Sequence, residues 1–214
     1  MRPTLPTVFL ASGAAALSIP TNRDAADAPP SMPRVSSITY SGSGCPSSSP
    51  GVDKLGSWND LAFRMNGFEA KVPGTATSTE NCQVHLQASG CSAGWQVGIK
   101  DVYVRGHLAL DPGATLDYYV TSFWSQDAAN TATIQASLPN TGTTRLDADV
   151  TAHASVPDAE VVWSPCSRSD GYLGILNVNF RAALLTADGN QYGYFGKGGD
   201  SAPLESWGYV WRRC

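Results

Sequence analysis

Charge is scarce in this chain. Only 15% of its 214 residues are Asp, Glu, Lys or Arg, and the formal net charge is −4. The 14 basic residues are scattered without a run, which excludes an electrostatic footprint for nucleic acid or for an anionic membrane surface. No Cys-x-x-Cys pair occurs, so neither a zinc knuckle nor thioredoxin-like chemistry is indicated. His-Glu-x-x-His is absent, and so is any Asn-x-Ser/Thr sequon. No nucleophile elbow is expected. Helical periodicity is almost missing, and no apolar run is long enough to span a bilayer. Glutamate occurs four times, at Glu69, Glu80, Glu160 and Glu205.

What is present begins with an export signature. Arg2 supplies a positive start, Val8 to Ile19 is a short apolar stretch, and Ala16-Leu17-Ser18 offers small residues for a cut near Ser18. Residues 1–18 are therefore read as a signal peptide. Residues 19–35, rich in Pro, Ala and Asp, are read as an extended linker or pro-segment, and 36–214 as one domain. An oxidising compartment makes disulfides the default for Cys45, Cys82, Cys91, Cys166 and Cys214, with one thiol left over. A Cys82–Cys91 bridge is among the open pairings, since that spacing suits a hairpin.

Most apolar stretches alternate with period two and end in Gly, Pro, Asn, Asp or Ser. Strands are expected near 36–41, 61–68, 82–88, 95–110, 116–124, 131–138, 145–153, 160–164, 174–186, 191–195 and 206–212. Many short strands with turn-rich connections predict an all-β protein with little helix, an antiparallel, jelly-roll-like β-sandwich. Trp207, Tyr209 and Trp211 alternate and are expected to close the core beside Cys214. In 174–186, Leu176, Val178, Phe180, Ala182 and Leu184 make one face. Ile175, Asn177, Asn179, Arg181 and Ala183 make a mixed second face, as on a central strand with one side partly wet.

One hairpin can be built in register. Val102 to Leu110 and Leu116 to Trp124 each carry an apolar face, and Asp111-Pro112-Gly113 has good turn chemistry. Pairing Leu110 with Leu116 sets the apolar faces opposite each other along the ladder. The same register gathers Tyr103, Arg105, His107, Asp117 and Tyr119 on the other face, extended by Phe123. Aromatic planes beside Arg, His and Asp suit sugar stacking and hydroxyl hydrogen bonds, so these five are the candidate ligand-binding residues.

Other motifs carry less. Gly42-Ser43-Gly44 lacks the following helix of a dinucleotide fold, and Gly196-Lys197-Gly198-Gly199 lacks the upstream glycine and the Ser/Thr of a phosphate loop. The three histidines, His85, His107 and His153, lie on different expected strands. Asp147 and Asp149 share a strand face at about 7 Å, the one spacing that invites a glycosidase reading. No catalytic residue, metal or organic cofactor is assigned.

A set of landmarks adds a family. Ser36-Ser37-Ile38-Thr39-Tyr40-Ser41-Gly42-Ser43-Gly44-Cys45-Pro46 opens the domain, and Asn81-Cys82-Gln83 follows. Val161-Val162-Trp163-Ser164-Pro165-Cys166, Ile175-Leu176-Asn177-Val178-Asn179 and Trp211-Arg212-Arg213-Cys214 complete it. Over residues 36–214 the chain resembles the domain-of-unknown-function 4360 family, small secreted proteins found largely in fungi. The resemblance implies a β-rich extracellular protein. It also implies four family cysteines, matching Cys45, Cys82, Cys166 and Cys214, and through them the bridges Cys45–Cys82 and Cys166–Cys214. Cys91 departs from the pattern. No catalytic residue comes with the family. The expected function is therefore non-catalytic: binding or decorating cell-wall polysaccharide or a host surface, through glycans. A secreted polysaccharide hydrolase is the alternative, and a structural wall protein without a discrete ligand is a third reading.

Overall fold

The computed structural model describes residues 8–10, 28–48, 51–72, 77–187, 189–199 and 201–214. Most of the expected signal peptide and its cut near Ser18 lie outside the described residues. The described chain forms thirteen strands in the order β1 (Val8–Leu10), β2 (Arg34–Ser41), β3 (Val52–Leu55), β4 (Ala62–Met65), β5 (Ala70–Val72), β6 (Thr77–Ser89), β7 (Trp95–Leu110), β8 (Thr115–Trp124), β9 (Thr131–Pro139), β10 (Leu146–Ser155), β11 (Ile175–Leu185), β12 (Gly193–Gly196) and β13 (Leu204–Arg213). The described helical segments are short 3-10 turns, such as Trp58–Asp60. None of the described helices is long and apolar enough to cross a membrane.

Two antiparallel sheets result. The first runs β1-β10-β7-β13-β4-β3, with β12 joining β5 to the far end of β7. The second runs β2-β6-β11-β8-β9. Alternation assigns one face of each strand to the interior. From β7 come Val102, Val104, Leu108 and Leu110, and from β8 come Leu116, Tyr118, Val120 and Trp124, all buried. Leu176, Val178, Phe180, Ala182 and Leu184 of β11 are buried too. Phe180 meets Phe68 and Phe195 with ring centroids 5.0 and 6.2 Å apart, which joins the second sheet to the β12 side of the first. Gly106 on β7 leaves the room that the Phe195 ring fills; a Cβ there would meet the ring at 2.6 Å.

The expected hairpin is not formed. β7 pairs with β10, β13 and β12, while β8 pairs with β11 and β9, in the other sheet. Asp111 to Ala114 carries the chain from one sheet to the other. Gly113 takes a φ of 83°, the Ala114 amide bonds the Asp111 carbonyl at 3.0 Å, and the Gly113 amide bonds the Asn140 carbonyl at 2.9 Å. A ladder and a crossover bury the same two apolar faces, so alternation dictates which side points inward and is silent on which strand lies alongside.

Smaller departures have local causes. Residues 161–168 are not a strand of either sheet, but they run beside the start of β7. There Ser164 and Ser167 bond the backbone of Val97 and Trp95 through both amide and hydroxyl. On β7 both Ile99 and Val102 point inward, because Lys100 is the extra residue of a bulge where β13 shifts register between Gly208 and Tyr209. That bulge keeps Trp207, Tyr209 and Trp211 opposite inward residues of β7; Trp207 is buried, and the other two are half-buried against Trp58. The short strands β3 and β5 carry too few residues for period two to register. The bridges are Cys45–Cys82 and Cys166–Cys214, and Cys91 is free and buried. Burial pushes the Cys91 thiol pKa up.

Candidate functional site

Because β7 and β8 belong to different sheets, the five expected ligand-binding residues are split. Tyr103, Arg105 and His107 stand on the outer face of the first sheet, and Asp117 and Tyr119 on the outer face of the second. They do not form one site.

On the first sheet, β10 supplies the neighbours. Tyr103 stacks flat on His153, with centroids 4.5 Å apart and 14° between planes, and His153 Nε2 lies 3.0 Å from Asp101. His107 sits between two carboxylates, with Nε2 3.0 Å from Asp147 and Nδ1 3.1 Å from Asp149. The imidazole thus has both ring nitrogens engaged by carboxylates. It also fills the space between the two aspartates that a glycosidase would keep for substrate and water. The Gly196–Gly199 segment lies over this cluster; a Cβ on Gly198 would press on His107 and Asp149 at 2.7 and 2.9 Å. Arg105, opposite Thr151 and Leu204, has no ion-pair partner among the described residues. This face is largely engaged with itself.

The second sheet's outer face is chemically different. Its cross-strand pairs form rows that run over all five strands. One row is Thr39, His85, Asn177, Phe123 and Thr131; the next is Ser41, Gln83, Asn179, Thr121 and Thr133. Below them Asn81, Arg181, Tyr119 and Gln135 align, then Asp117 beside Ser137. Neither row of five contains an Asp, Glu, Lys or Arg. Asparagine is disfavoured in strands, so Asn81, Asn177 and Asn179 at the sheet's centre carry a local cost that no apolar packing returns.

The roles within this face divide. Asn177 is 3% exposed and fully engaged: its amide reaches Ser125 Oγ at 2.8 Å and its carbonyl oxygen holds His85 Nδ1 at 2.6 Å. With that proton on Nδ1, a neutral His85 offers Nε2 as an acceptor. Asn179 accepts from Asn81 at 3.3 Å, and Thr121 pairs with Thr133 at 3.0 Å. The side chains of Gln83 and Gln135 have no partner among the described residues. Arg181 lies over the Tyr119 ring at 4.2 Å, so one face of that ring is already covered. Phe123 stacks on no ring among the described residues and is half-buried. From sequence, Phe123 stands only as an extension of the candidate face, and His85, Gln83 and Asn179 are not among the candidates. The mixed face of 174–186 was the available signal; what it lacked was the identity of the neighbouring strands.

Two further features bear on chemistry. Gly90-Cys91-Ser92-Ala93-Gly94 does have the Gly-x-Ser-x-Gly spacing, contrary to the expectation that no nucleophile elbow is present. It forms the β6–β7 connection with no helix behind it. Ser92 Oγ accepts from the Ser31 amide at 2.9 Å, and the Ser92 carbonyl accepts from Ser167 Oγ at 2.6 Å, so the segment is a structural tie. Glu205 is 2% exposed, in the core. Its Oε1 accepts from Trp207 Nε1 at 2.7 Å, and burial pushes its pKa from 4.5 up to about 7. Its parity with Trp207 and Tyr209 was the sign that it points inward.

Among known proteins, an uncharacterized secreted protein of Arthroderma benhamiae is 25% identical over 179 residues, covering 82% of this chain and 69% of the relative. Solved structures give distant likenesses. TmCBM61 in complex with beta-1,4-galactotriose has a TM-score of 0.24 at 9% identity, over 84% of this chain and 90% of that one. The enzymatically active domain of tailspike protein 4 from bacteriophage CBA120 scores 0.22 at 13% identity, over 84% and 20%. At such scores neither neighbour bears on the site. Two disulfides fit an extracellular protein, as does the secreted relative. The family model described as Domain of unknown function (DUF4360) matches residues 31–214, and the chain belongs to that family.

Proposed function

We propose that this protein is a secreted, non-catalytic glycan-binding protein whose sugar-contacting surface is the outer face of the second sheet. The observation that carries the reading is the pair of uncharged rows centred on Asn177 and Asn179, which set amides, hydroxyls and one imidazole around the half-buried ring of Phe123. Polyhydroxylated ligands are recognised by this combination of planar apolar surface and fixed hydrogen-bonding groups. Of the residues expected from sequence, Asp117 and Tyr119 flank this surface, while Tyr103, Arg105 and His107 lie on the other sheet and are set aside. Export by cleavage near Ser18, and a destination at the cell wall or a host surface, belong to the same proposal.

The test is a glycan array together with pull-downs on insoluble chitin, β-glucan and cellulose. Retention on at least one polymer is expected. Phe123→Ala and His85→Ala should weaken it while the fold survives. Retention on none, or retention indifferent to both substitutions, would count against the reading. Release of reducing ends from a retained polymer would favour a hydrolase instead.

A further inference from the structure

The neutral rows of the second sheet also constrain the shape of what they bind, an argument that rests on the glycan reading above. We infer that the ligand is a linear, uncharged polysaccharide lying across the strands, with one pyranose to each strand it crosses.

The first ground is spacing. Adjacent strands lie about 5 Å apart, close to the advance of one pyranose along an extended chain, so a polymer crossing the strands meets an equivalent position at each one. Along a single strand, side chains of one face recur only every ~7 Å, out of step with such a chain. The second ground is content. Gln83 on β6, Asn179 on β11, Thr121 on β8 and Thr133 on β9 are direct cross-strand neighbours, so a hydrogen-bonding group stands at each of four consecutive strands. The adjacent row adds His85 and the Phe123 ring. Read along β11 instead, the outward residues are Ile175, Asn177, Asn179, Arg181 and Ala183, an aliphatic, an engaged amide, an amide, a cation and a methyl. No repeating ligand matches that series. The third ground is charge. Arg181 is placed over Tyr119, and Asp117 accepts from Ser137 Oγ, both below the two rows. Among the described residues, neither row offers an acidic polymer a Lys or Arg along its path.

The experiment is calorimetric titration with cello-, laminari- and chito-oligosaccharides of two to seven sugars, and with oligogalacturonates as the acidic arm. Affinity is expected to climb to about four or five sugars, the number of strands crossed, and then to level off. Gln83→Ala and Thr133→Ala stand three strands apart, and each should weaken a pentasaccharide by about fivefold, the effect of one hydrogen bond. Full affinity at a disaccharide, sensitivity to only one of the two substitutions, or preference for oligogalacturonate would overturn the across-strand inference while leaving a glycan site on this sheet. Binding to none of the probes, or binding indifferent to Gln83, Thr133, His85 and Phe123 alike, would remove the underlying reading as well.

Discussion

Replacing Glu205 with Gln should change how stability depends on pH. The carboxyl sits on β13 in register with Phe63 on one side and Val104 on the other, inside the sandwich, with Trp207 Nε1 as its hydrogen-bond donor. Burial raises its pKa from 4.5 to about 7. For an acid whose folded pKa lies above its unfolded one, the stabilising contribution is complete below the unfolded pKa. It is lost as pH rises through the folded pKa, because the unfolded chain releases the proton first. At 1.36 kcal/mol per unit, the shift amounts to about 3 kcal/mol lost between roughly pH 4.5 and pH 7. Glutamine keeps the carbonyl that accepts from Trp207 and has no proton to lose. Urea denaturation of both proteins at pH 4.5, 6 and 8 should show the variant gaining on the wild type with rising pH, by about 3 kcal/mol at the top of the range. The difference between the two curves isolates this residue from the other titrating groups. A difference that stays flat with pH would refute the reasoning, since a carboxyl ionised at the same pH in both states cannot be buried as described.

Other outcomes follow from single features. Opening the Cys166–Cys214 bridge with paired serines should cost about 4 kcal/mol on the chain-entropy model, given its separation of 48 residues, as read from denaturant midpoints. Cys91 should ignore a thiol-labelling reagent in the native protein and take up one equivalent in denaturant, because its sulfur is buried and its pKa raised. Phe123→Ala should weaken glycan binding by about 1–3 kcal/mol, while Tyr103→Ala, on the other sheet and already stacked on His153, should leave it unchanged in the same pull-down.

Period-two alternation carried most of the fold. It placed Val102 to Leu110 and Leu116 to Trp124 with the correct faces inward, and it marked the far side of 174–186 as polar and partly wet. It failed on adjacency, because a turn such as Asp111-Pro112-Gly113 serves a hairpin or a sheet-to-sheet crossover equally well. The choice depends on the edges of β7, both of which are taken by strands distant in sequence, β10 on one side and β13 and β12 on the other. The candidate site suffered from the same gap. Residues that share a row, such as Gln83, Asn179, Thr121 and Thr133, come from four strands, and no local pattern announces that they meet. Glu205 was legible in principle, since it shares parity with Trp207, but a lone charged residue at the head of a strand reads as an exposed end. The disulfides followed from the family landmarks rather than from spacing.

The central claim is that sugar meets the second sheet. Backbone amide shifts of isotope-labelled protein, titrated with whichever soluble oligosaccharide the polymer pull-downs select, test it most directly. The account predicts saturable shifts clustered on β6, β11, β8 and β9, around His85, Gln83, Asn179 and Phe123, with Tyr103, Arg105 and His107 silent. Shifts centred on β7 and β10 instead, or no saturable shift with any oligosaccharide, would contradict it.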